Sequence, residues 1–249
     1  TDGTSPRFYE MPSFSVHSGV NGYFGVVALS SGNRSTPLVG GAVARRTGTV
    51  TANDAVYVIY DNDVARADLY SIADSDLRTS SVTLPTVTFT QLKAGTSQTT
   101  TTNGRTSYNG GWKYQYDSSA GKYKGMNELY ALDSMLYVNV YHKDGTGILG
   151  SCNSGVIGDT ELYQFCLPTG KCPAGFYPDG ATRPNSIVLG GGILGTGLGL
   201  GYSNKSDEMS LIKGKEGSDC TNKDNKNKPE CQLFSTGARL QHLRWYESR

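Results

Sequence analysis

The stretch NSIVLGGGILGTGLGLG, residues 185–201, limits what the chain can fold into more than any other. Gly190, Gly192 and Gly195 match the spacing G-x-G-x-x-G. In dinucleotide-binding folds that spacing closes a tight turn after a strand and opens a helix whose N-terminus holds a pyrophosphate. Here the chain continues Thr196, Gly197, Leu198, Gly199, Leu200, Gly201, placing three more glycines where the first helical turns belong. Each glycine in a helix interior costs about 1 kcal/mol relative to alanine. No helix is predicted, and the nucleotide-site reading fails. Leu198 and Leu200 alternating with glycine predict instead a strand closely approached by a neighbouring backbone.

The same preference runs through the chain. AVYVIY (55–60) and MLYVNVYH (135–142) are almost wholly apolar, as expected for internal strands covered on both faces. Asn21-Gly22, Asn103-Gly104, Asn109-Gly110 and Asp144-Gly145 supply the positive φ of tight reversals. Thirty-two glycines and sixteen tyrosines complete an all-β composition. Residues 79–107 form a Thr/Ser-rich insertion without chemistry of its own. Its first half, TSSVTLPTVTFTQL, alternates like a strand pair, and SQTTTTNG reads as an exposed hairpin tip. VVALSSG (26–32), DLYSIAD (68–74), ELYALDS (128–134) and ELYQFCLPTG (161–170) echo one another as short strands ending in polar turns. Their uneven spacings approach the length of four-stranded propeller blades carrying insertions; a meander of unrelated hairpins is the alternative.

A formal net charge of +1 over 249 residues gives no field to attract nucleic acid or a membrane surface. No run of 18 apolar residues is present to form a membrane-spanning helix. The chain begins at Thr1 without a signal-like segment and reads as a mature or excised piece. Of five cysteines, Cys220 and Cys231 bracket the polar loop TNKDNKNKPE, which a disulfide between them would clamp; an oxidising, exported location follows. Cys152, Cys166 and Cys172 allow one further pair, which the sequence leaves open. No C-x-x-C pair supports zinc.

Four segments carry a family resemblance: GVVALSSGNRSTPLVGGAVARR (25–46), DAVYVIYDNDVARADLYSIADSD (54–76), the run from GGWKYQYD through MLYVNVYHKDG and Cys152 to ELYQFCLPTG (110–170), and the terminal RLQHLRWYESR with Trp245. Their order and type resemble the C-terminal propeller of PilC/PilY-type proteins, the tip-located adhesins and biogenesis factors of type IV pili. The family's Phe-Gly-Thr-Gly turn is replaced here by Tyr60-Asp61-Asn62-Asp63. The resemblance covers most of residues 20–249. It implies an all-β, propeller-like domain, or the second half of one, at the bacterial cell surface or pilus tip, with minor pilins and a host or abiotic surface as partners, no catalysed reaction, and calcium dependence. Loops 60–68, 91–110, 143–160 and 213–231 are the expected display surfaces.

Candidate sites follow from residue chemistry. Asp61, Asn62, Asp63 and Asp68, with Asp54, Asp74 and Asp76 nearby in sequence, gather oxygen ligands of the type calcium takes, although their spacing is not that of an EF-hand loop. Acidic residues at hairpin tips also serve simply as turn formers. The loop 221–230 is set aside because its three lysines, Lys223, Lys226 and Lys228, repel a cation. His17, His142 and His242 lack a Ser-Asp pattern, and G-x-S-x-G is absent, which argues against nucleophilic hydrolysis. Ser107–Trp112 lacks the aspartate of a sialidase box, Arg66-Ala67-Asp68 lacks the glycine of a receptor-binding triplet, and no D-x-S-x-S metal motif occurs. Two other readings use the same features. A quinone-dependent propeller dehydrogenase would need adjacent cysteines and a stacking tryptophan, whereas a carbohydrate-binding module would use exposed tyrosine faces.

Overall fold

The computed structural model describes residues 6–19, 22–40, 53–64, 84–96, 99–102, 105–108, 110–147, 157–193, 198–202, 208–213 and 234–239. They form two units, Thr1–Gly195 and Thr196–Arg249, and the strand ladders within each are antiparallel.

The first unit begins with β1 (Ser13–Gly19), β2 (Gly22–Ser30) and β3 (Ala55–Asp61). Helix α1 (Phe89–Ala94) and a separate hairpin, β4 (Thr99–Thr102) with β5 (Arg105–Tyr108), precede β6 (Gly111–Gln115). β6 then returns to pair with β3, giving a four-stranded meander in the order β1-β2-β3-β6. The chain continues into a second sheet through β7 (Tyr123–Gly125), β8 (Tyr130–Leu132), β9 (Met135–His142), β10 (Asp159–Cys166) and β11 (Ser186–Gly191). Its order is β11-β10-β9-β7, with β8 also on the edge of β9 that β7 occupies. Asp133 and Ser134 link β8 to β9 with φ of 49° and 60°, the pattern of a type I′ hairpin turn.

Period-two alternation sets the core. Phe24, Val26 and Ala28 of β2, Val56, Val58 and Tyr60 of β3, and Trp112 and Tyr114 of β6 share one cluster with Leu136, Val138 and Val140 of β9 and Tyr163 and Phe165 of β10. Burying each large side chain contributes about 1.5–3 kcal/mol. The opposite face of the second sheet is buried as well, through Tyr137, Asn139, Tyr141 and Leu162. MLYVNVYH is thus an internal strand covered on both sides. β3 differs from its sequence reading, because Tyr57 and Ile59 on its second face are only half-buried.

The second unit is a three-stranded sheet of β12 (Leu198–Tyr202), β13 (Glu208–Lys213) and β14 (Phe234–Arg239). The glycine-rich run supplies β11 and β12, strands on either side of residues 194–197, which lie outside the described residues.

Two expectations are corrected. The first half of the Thr/Ser-rich insertion is not a strand pair: Phe89–Ala94 is helical. Thr88 caps it by accepting from Gln91 N at 3.3 Å, while Gln91 Oε1 accepts from Thr88 N at 2.8 Å, so a T-x-x-Q capping box overrides the alternation. At Asp144-Gly145 the positive φ falls instead on Gly147, at 64°, and the chain takes until Asp159 to re-enter the sheet.

Asn139 is buried with neither carboxamide atom hydrogen-bonded. A buried unpaired polar group costs about 1–3 kcal/mol. Asn139→Leu is therefore expected to raise the urea midpoint of unfolding at unchanged slope; a lowered midpoint would show that the amide has a partner.

Candidate functional site

The carboxylates grouped by sequence separate in space. Asp61 closes β3, and its Oδ1 accepts from Asp63 N at 2.9 Å, an Asx turn that uses the carboxylate to shape the bend. Asn62 and Asp63 follow in the same half-buried turn. Asp54 lies at the other end of this seven-residue strand, roughly 23 Å away at the usual strand rise. There it is buried, accepting from Ser31 Oγ at 2.9 Å. Asp68, Asp74 and Asp76 lie outside the described residues. Among the described residues, no three His, Cys, Asp or Glu side chains converge as a metal site would require.

Burial raises the pKa of the Asp54 carboxyl, with Ser31 and Lys124 pulling the other way. Lys124 on β7 is itself buried and donates to Val39 O at 2.7 Å and to Gly121 O. Burial lowers its pKa to about 8, against an opposing pull from Asp54. An unfolded lysine holds its proton to about pH 10.4, so between these values the unfolded chain binds more protons than the folded one. Stability therefore rises with pH across that window, by about 3 kcal/mol at most. Tyr114 and Tyr177, pushed by burial to about 12, give the opposite trend above pH 10. Urea unfolding should show a stability maximum between pH 9 and 10 that Lys124→Met flattens; an equal rise in that variant would assign the effect elsewhere.

Cys166 and Cys172 are joined in a disulfide, whereas Cys152, Cys220 and Cys231 lie outside the described residues. The bridged loop fastens three elements together. Pro168 O accepts from Trp112 Nε1 of β6 at 2.8 Å and from Tyr60 OH of β3 at 2.9 Å. Thr169 O accepts from Thr96 N, just beyond α1, at 2.8 Å. Closing so short a loop is worth about 2 kcal/mol by chain entropy. Reduction, or the Cys166→Ser/Cys172→Ser pair, should lower unfolding free energy by about that amount; no change would remove the clasp from the account.

His142, at the end of β9, stacks on Tyr123 with ring centroids 4.2 Å apart and places Nδ1 3.7 Å from Glu161 Oε1. Glu161 also accepts from Ser186 Oγ at 3.0 Å and lies 3.4 Å from Arg183 Nη1. Ser, Glu and His meet here without the order a nucleophile needs. Ser186 donates to the carboxylate instead of the imidazole, and His142 Nε2 is buried without a partner. Burial lowers the His142 pKa, and Glu161 opposes that shift. The neighbouring concavity, about 350 Å³, is lined by the single loop Pro178–Ser186. It is walled by one segment, whereas ligand sites are usually enclosed by several. His17 accepts or donates a 2.9 Å bond to Ser15 Oγ, and His242 lies outside the described residues.

The sequence reading missed a surface on the first sheet. In β1, Ser13, Ser15 and His17 turn toward the core side, while Phe14 and Val16 turn outward, 53% and 54% exposed. Tyr23 (67%) and Val64 (39%) share this outer face: Gly25 has Phe14 and Val64 against its outer side, and Phe8 (47%) meets Tyr57 edge-on at 5.2 Å. The signal was present in SFSVHSG, whose strict alternation predicts a strand with one apolar face. Of the expected display loops, 60–64, 91–96, 143–147 and 157–160 are described, together with the β4–β5 hairpin and Lys213.

These features define an antiparallel all-β protein whose most distinctive surface is an outward apolar sheet face. Comparison with protein-family models, with curated proteins and with solved structures finds no match for the chain. Among the described residues, no helix is long and apolar enough to cross a membrane.

Proposed function

We propose that the chain is a non-catalytic interaction module of a type IV pilus tip and biogenesis protein of the PilC/PilY kind, built on propeller-like blades. One observation carries this reading. Two antiparallel meanders, β1-β2-β3-β6 and β7-β9-β10-β11, follow one another in chain order and stack through a shared core, as neighbouring blades do. The described parts of three of the four segments that carry the family resemblance fall on β2, β3, β6, β9 and β10, with ELYQFCLPTG running from β10 into the disulfide loop; the terminal segment beyond Arg239, with Trp245, lies outside the described residues. A stiff scaffold of this type transmits pulling force and displays loops to minor pilins or to a surface. Deleting the segment from its parent protein should reduce surface pili, with numbers restored when retraction is also blocked. Unchanged piliation, motility and adherence would overturn the proposal.

A further inference from the structure

An asparagine with serine or threonine two positions on, and any residue but proline between, is the acceptor triplet of N-glycosylation. Asn33-Arg34-Ser35 is such a triplet. Triplets of this kind also arise by chance, so the turn that presents this one decides its meaning. It follows β2 outside any strand, where Asn33 is half-buried and Arg34 and Ser35 are exposed. The chain is anchored just ahead of it, with Gly32 N donating to Arg7 O at 2.9 Å. Asn33 Oδ1 accepts from Ser35 N at 3.2 Å, an Asx turn that folds the carboxamide back over the serine. Tyr9 OH donates to the same Oδ1 at 3.4 Å and lies 3.0 Å from Ser35 Oγ, so amide and hydroxyl stand on one side of the turn. Arg34 is drawn off to Glu10, with Nη1 2.6 Å from Oε1. Asn33 Nδ2 donates to none of the described residues: the oxygen of the carboxamide is held and its nitrogen is left open.

We propose that Asn33 carries an N-linked glycan, transferred from a lipid-linked sugar diphosphate. Nδ2 bonds to the anomeric carbon as the bond from that carbon to the diphosphate oxygen breaks. The lipid diphosphate leaves with the electron pair, and the proton lost from Nδ2 passes to a base of the transferase. Nothing is oxidised or reduced. Lipid-linked donors serve chains that have left the cytoplasm, and the Cys166–Cys172 disulfide is a bond of the same oxidising compartments. The glycan adds a bulky, solubilising group to an exposed turn between the first sheet and solvent. This assignment stands on the turn and on export, independently of any role at a pilus.

Peptide mapping by mass spectrometry of the full chain, isolated from the organism that exports it, tests the proposal. Peptides bearing Asn33 should show a glycan mass that an amidase specific for glycosylated asparagine removes, leaving aspartate at that position. Ser35→Ala should lose the added mass, and Ser35→Thr should keep it. Arg34→Pro, which breaks the triplet without touching either functional side chain, serves if Ser35→Ala fails to fold by circular dichroism, and should lose the mass as well. The second triplet, Asn204-Lys205-Ser206, lies outside the described residues and is read on a separate peptide. Unmodified Asn33 in the exported chain, or a glycan there that survives Ser35→Ala, would overturn the proposal.

Discussion

Trp112→Ala should remove about 4 kcal/mol of unfolding free energy, near the top of the range for aromatic truncations in a core. Trp112 is fully buried on β6, with its ring 6.0 Å from Phe165 of the second sheet and its Nε1 donating to Pro168 O. Truncation therefore opens a cavity between the two sheets and releases one fastening of the disulfide loop. Trp112→Phe isolates the hydrogen bond. It should cost about 1–2 kcal/mol, because the Pro168 carbonyl keeps the Tyr60 hydroxyl at 2.9 Å. A double-mutant cycle with Tyr60→Phe should show coupling, since both side chains share that acceptor. A loss below about 1 kcal/mol for Trp112→Ala would mean that the ring is not a core element.

A comparable loss, about 3 kcal/mol or more, is expected from the addition of a single methyl group at Gly125. Gly125 ends β7, and its N–H donates to Ser31 O at 2.7 Å, just past β2, so one sheet is hydrogen-bonded to the other there. A Cβ at Gly125 would overlap the Ser30 side chain and lie 2.8 Å from Ser31 O. Ser30 is not free to swing away, because its Oγ is bonded to Tyr116 OH at 2.5 Å. Gly22→Ala is the control. It has nothing within 4 Å but a φ of 114°, and should lose about 1 kcal/mol from backbone conformation alone. If the two alanine variants unfold at similar urea concentrations, the close approach of the sheets does not constrain Gly125.

The strands were legible where burial alone decides them. β9 and most of β3 are apolar runs, and Leu198 and Leu200 mark β12 because glycine excludes the helical alternative. Helix α1 was readable in principle from Thr88 and Gln91, but the period-two pairs Val82/Leu84 and Val87/Phe89 obscured a six-residue element. Asp54 and Asp61 are close in sequence, and the strand between them is what carries them apart; proximity along an extended chain is a poor guide to a ligand shell. The partner of Cys166 could not be chosen from spacing alone, because pairing follows from a loop whose carbonyls are held by β3, β6 and the residues after α1. The outer face of β1 was the opposite case: its pattern was visible in seven residues, yet which face of a strand is covered is decided by residues distant in sequence.

The central claim is that the two meanders form one cooperative scaffold, stacked through Trp112, Phe165 and their neighbours and fastened at Pro168 and Gly125. Native-state hydrogen exchange resolved by residue tests it directly. Amides of β2, β3, β9 and β10 should exchange through a single opening whose free energy equals that of global unfolding, and Trp112→Ala should lower all of them together. Separate opening free energies for the two sheets, with Trp112→Ala affecting the first alone, would contradict it.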